Sequence, residues 1–91
     1  QDYKTAVGWY RLAAEQGNAF AQYNLGLMYA KGHGVIQDYV RAHMWLNIAA
    51  SSGYKSALES RDIVAGRVTP SQLEKAQELA RECVAKNYKG C

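Results

Sequence analysis

The chain has 91 residues, 48% of them hydrophobic, with a single Pro, eight Gly and a formal net charge of +3. That length makes one small domain with a thin core, burying only roughly 60% of the surface the unfolded chain exposes, and no apolar run approaches the ~18 residues that would span a bilayer. The positive charge is scattered among acids, as in Glu74-Lys75 and Arg81-Glu82, and only Lys4, Arg11 and Arg41 have a helix face to share, so neither membrane insertion nor nucleic-acid binding is expected.

In chain order the first feature is a repeat. Setting Gln1-Asp2-Tyr3 on Gln37-Asp38-Tyr39 also sets Ala6 on Ala42, Trp9 on Trp45, Ala13-Ala14 on Ala49-Ala50, Gly17 on Gly53 and Ala21 on Ala57. A period of about 36 residues is the length of a helical hairpin in repeat proteins. Tyr3, Ala6, Trp9 or Tyr10, and Ala13 recur at steps of three and four, which predicts a helix over about 3–16. Asp2 and Asp38 are placed to cap the two first helices, and Gly17 and Gly53 to end them. A second helix is predicted over about 19–30, with Ala21, Leu25 and Met28 on one face.

The loop Lys31-Gly32-His33-Gly34-Val35-Ile36 leads to the second unit, whose partner helix is predicted over about 55–66. That helix is weaker: it carries Glu59, Arg61 and Asp62 where the first unit has Tyr23, Leu25 and Gly26, so its outer side is expected to face water. A last helix starts at Thr69-Pro70-Ser71-Gln72, with a capping Thr, Pro at the first helical position and Gln three residues after the cap. Its apolar stripe is Leu73, Ala76, Leu79, Ala80, Cys83 and Val84, opposite a charged face.

These residues resemble the Sel-one-like repeat, a relative of the tetratricopeptide repeat. In the first unit Asp2-Tyr3, Ala6, Trp9-Tyr10, Ala13 to Gly17, Ala21-Gln22, Leu25-Gly26, Met28-Tyr29, Gly32 and Gly34-Val35 fall on its pattern. The second unit, with Ala42, Met44-Trp45-Leu46, Ala49-Ala50 and Gly53, then Thr69-Pro70 and a charged amphipathic helix, is similar to the C-terminal end of bacterial members. The expected fold is all-α: a right-handed superhelical solenoid of two helix-turn-helix repeats, 1–36 and 37–68, closed by a capping helix and tail, 69–91. The resemblance implies a scaffold or adaptor with no cofactor, in which Trp9 and Trp45 are packing residues. A bare structural spacer within a longer array is the alternative, and the number of repeats upstream of Gln1 is left open.

Where the family commonly carries charge on the first helices, this chain has Gly8 and Leu12, then Met44 and Ile48. Two readings follow: these side chains extend the packing between adjacent first helices, or they form an apolar strip for a partner helix or peptide. In the second reading Leu12, Met44 and Ile48 anchor the partner and Arg11, Arg41 and Asn47 flank it. Self-association through the first helix, around Thr5, Gly8 and Leu12, is a related expectation.

Catalytic patterns are sparse, and no enzyme is expected. Ser52-Gly53-Tyr54-Lys55 has the S-x-x-K spacing of serine β-lactamases, but without the companion S-D-N and K-T-G motifs and across an interhelical turn. His33 and His43 have no second ligand at metal spacing, and Glu74 and Glu78 lie on the charged face of the last helix. Cys83 and Cys91 are eight positions apart, with Tyr88-Lys89-Gly90 able to turn the chain back. A disulfide and a buried free thiol beside a terminal Cys both fit; some cysteine-rich secreted relatives share the spacing, and a bridge would point to a periplasmic or extracellular setting.

Overall fold

The computed structural model describes residues 2–91, so the repeat match at Gln1 lies outside the described residues. Five helices follow one another: α1 (Tyr3–Glu15), α2 (Ala19–Lys31), α3 (Tyr39–Ser51), α4 (Lys55–Ala65) and α5 (Pro70–Ala85). No strand occurs among the described residues.

The ends fall where the capping chemistry puts them. Asp2 accepts the Thr5 amide at 2.8 Å and Asp38 the Arg41 amide at 3.1 Å, each supplying a partner to an amide that the first turn leaves free. Thr69 and Gln72 form a reciprocal capping box with Pro70 inside the first turn. Gly17 and Gly53 have φ of 88° and 91°, a left-handed region that side-chain-bearing residues rarely adopt, and each turns the chain sharply into the next helix. Asn18, a cap the repeat comparison did not single out, accepts the Ala21 amide at 2.8 Å.

Helices α1 and α2 form one hairpin and α3 and α4 a second, while the most extensive interface joins α2 to α3. At that crossing Ala42, Trp45, Leu46 and Ala49 of α3 are all fully buried. The backbones approach closely because Gly26 has no side chain: a Cβ there would stand 2.8 Å from Leu46 Cγ and 3.2 Å from the Ala42 carbonyl oxygen. Gln22 is buried between the first two helices and donates from Nε2 to the Ala14 carbonyl at 3.1 Å, which ties the end of α1 to α2.

The outer side of α4 is open, as its charged composition implies. Leu58 is 44% and Ile63 65% exposed, and Asp62, one repeat after Gly26, has a side chain 73% exposed. A further helix stacking there would have to bury the Asp62 carboxylate, which now faces water beside Arg61 at 3.5 Å, at the position where Gly26 admits α3. Accordingly α5 does not continue the stack on α4; it folds back onto α3. Ala76, Ala80 and Cys83 form its buried stripe, small side chains that let the two helices lie close.

Candidate interaction surface

The position of α5 decides which of the expected anchors face solvent. Met44 and Ile48 are 1% and 3% exposed, covered on the side where α5 lies against α3. Their expected role as partner anchors is therefore corrected: the apolar strip exists on α3, but the chain's own last helix occupies it. Leu12, one repeat before Ile48, has no such cover and is 59% exposed.

The same asymmetry corrects the expectation for the two tryptophans. Trp45 is fully buried, whereas Trp9, its counterpart one repeat earlier, is 66% exposed. The difference is positional. Helix α3 has α2 packed on the face that carries Ala42, Trp45 and Ala49, and among the described residues no helix stands in the equivalent place beside α1. Trp9 and Leu12 are one turn apart and project from the same side of α1, with Gly8 adjacent, so the first helix presents a continuous exposed apolar strip.

The polar residues expected to flank a partner are already engaged to different degrees. Arg11 is half-buried, donates to the Tyr29 hydroxyl at 2.7 Å, and lies over the Tyr29 ring at 5.9 Å. Asn47 accepts from Arg61 at 3.0 Å, which ties α3 to α4. Arg41 is exposed, pairs with Asp38 at 3.6 Å, and donates to the Cys91 carbonyl at 2.8 Å. Of the six residues singled out from the sequence, Leu12 and Arg41 thus stand at the surface, Arg11 and Asn47 partly so, and Met44 and Ile48 are inside. An open groove of about 580 Å³ remains between α3 and α5, lined by Asn47, Ser51, Gln77, Arg81, Val84 and the edge of Ile48.

His43 is buried at 3% exposure on α3, and its Nδ1 has no hydrogen-bond partner. Burial, followed by the charge of Arg61, lowers its pKa from the usual histidine value, against a smaller opposing effect of Asp62. It is a neutral packing residue. His33 stacks on Tyr3 with ring centroids 4.2 Å apart and is half-buried. The hydroxyl of Ser52, the residue in the S-x-x-K spacing, donates to the Ile48 carbonyl at 3.3 Å and so completes the end of α3. Cys83 and Cys91 are paired as a disulfide, with Cα atoms 5.7 Å apart. No helix is long and apolar enough to cross a membrane among the described residues.

Comparison with known proteins agrees with this architecture. The Sel1 repeat family model matches residues 1–18 and 19–54, the second match running from the start of α2 through α3 to the turn before α4. Among solved structures, the chain is similar to c5321, described as a protective antigen present in uropathogenic Escherichia coli strains and displaying an SLR fold. The two are 34% identical with a TM-score of 0.89 over 96% of this chain, which spans only 20% of that one.

Proposed function

This chain belongs to the Sel1 repeat family, and from that premise we propose that it is a protein-interaction module whose partner surface is the exposed strip of α1, centred on Trp9 and Leu12. The family and the helical repeat fold are those of an interaction or scaffold module, typically non-catalytic. The observation that carries the finer reading is the contrast between equivalent positions. Met44, Ile48 and Trp45 are covered by α5 and α2, while Trp9 and Leu12 carry the same kind of apolar surface uncovered. Leaving two large apolar side chains in water forgoes roughly 1.5–3 kcal/mol each relative to burial, a driving force that a partner helix or peptide recovers on docking.

End-to-end stacking of a second copy is disfavoured at this strip. Head-to-tail stacking would bring the α1 strip of one copy against the outer face of α4, where Asp62 occupies the position at which Gly26 admits α3. Light scattering on the intact chain and on Leu12→Glu tests this. Both are expected to remain monomers of 10.1 kDa; a dimer that Leu12→Glu dissociates would show that the strip closes on itself.

A further inference from the structure

Beyond α5 the chain reverses. Asn87 and Tyr88 take φ of 55° and 67°, and Gly90 of 70°, which turns the last residues back toward the two first helices. The Tyr88 ring then rests on the turn after α1, so close that a Cβ on Gly17 would stand 3.3 Å from Tyr88 Cε2. The Lys89 ammonium donates to the Glu15 carbonyl at 2.7 Å. The Cys91 carbonyl accepts from Arg41 at 2.8 Å, and Gly90 and Cys91 share a cleft with Arg41, Met44 and Cys83. The tail therefore touches α1, α3 and α5 and is fixed at its end by the bond to Cys83.

We propose that residues 87–91 are a strap released by reduction: joined to Cys83 they cover the end of α1 and the Met44 edge of α3, and a dithiol reductant frees them from both helices. The reaction is thiol–disulfide exchange. A thiolate of the reductant attacks the sulfur of Cys91, the more exposed of the pair, and Cys83 leaves as a thiolate and is protonated. The second thiol of the reductant then displaces Cys91, which leaves as a thiol, and the reductant departs as its own disulfide. Two electrons and two protons reach the cysteines.

The bridge is what makes the strap a latch. Hydrogen bonds at exposed positions contribute little against water and two residues other than Gly are held at positive φ, so without the crosslink the half-buried Tyr88 ring is the main contact left to hold the tail. The bond holds the same groups at high effective concentration. The helical body has separate support, because Ala76 and Ala80 seat α5 on α3 whether or not Cys83 is bridged.

Hydrogen exchange on the intact chain, read by mass spectrometry with and without dithiothreitol, tests the strap without any partner. Reduction is expected to speed exchange of the 86–91 amides by roughly tenfold or more, including the Tyr88 amide that donates to the Cys83 carbonyl at 2.9 Å, while α1 to α4 keep their protection. Cys91→Ser is expected to give the reduced pattern with no reductant present. Unchanged exchange in 86–91 would show that the contacts hold the tail unaided, and loss of protection throughout would make the bridge a support of the fold; either result overturns the strap. An oxidised-like pattern in Cys91→Ser overturns it as well.

Discussion

At the scale of single residues, two glycines inside helices carry opposite demands. Gly26 lies at the closest approach of α2 and α3, while nothing stands within 4 Å of a Cβ placed on Gly8. Gly8→Ala is therefore expected to stabilise the chain by roughly 0.5–1 kcal/mol through helix propensity. Gly26→Ala should lose roughly 1 kcal/mol or more despite the same propensity gain, because Leu46 and the Ala42 backbone must move. Urea midpoints of the two variants, compared at equal slope, check the difference in sign. His43 gives a second prediction. Its folded pKa lies below the ordinary histidine value, so the unfolded chain binds the proton more readily. Stability from keeping His43 neutral is fully present above about pH 6.5 and is lost as the pH falls toward the lowered folded pKa. Between pH 7.5 and 5 the urea midpoint is expected to fall in the native chain and to fall less in His43→Gln.

At the scale of elements, the placement of α5 follows from what α4 withholds. The first four helices were legible in the sequence because Asp, Trp, Ala-Ala and Gly recur at one period, and the start of α5 because Thr69, Pro70 and Gln72 fix a capping box. What was not legible is the surface α5 selects. Its stripe of Ala76, Ala80 and Cys83 fits any close-packed partner, and an amphipathic pattern says which face is buried, not against what. The one signal lay in Asp62, which stands where Gly26 makes room for the next helix and so bars the outer face of α4. The same gap explains the candidate site. Leu12, Met44 and Ile48 were visible as departures from a charged pattern, but their sequence neighbours give no sign that α5 returns to cover the last two. Ala76→Leu tests the packing directly: it should cost roughly 1–3 kcal/mol by pushing α5 from α3, and hydrogen exchange should rise in α5 before it rises in α1 or α2.

Across the described residues, the first and last hairpins differ in kind. At one end Trp9 and Leu12 face water, and at the other Asp62 and its neighbours do. Between them the apolar strip of the second repeat is filled from within by α5. The repeat made the tryptophans look equivalent, yet burial in a solenoid is set by neighbours, and the two helices have different neighbours on one face. The central claim is that a partner lands on α1 and not on the covered α3 half of the strip. Site-specific photo-cross-linking decides it, with a benzophenone amino acid at position 12 in one protein and at position 48 in another, each exposed to an extract of the source organism. A discrete adduct is expected from position 12 that disappears when Trp9→Asp is added, and no intermolecular adduct from position 48. An adduct from position 48, or one from position 12 that is indifferent to Trp9→Asp, would contradict the claim.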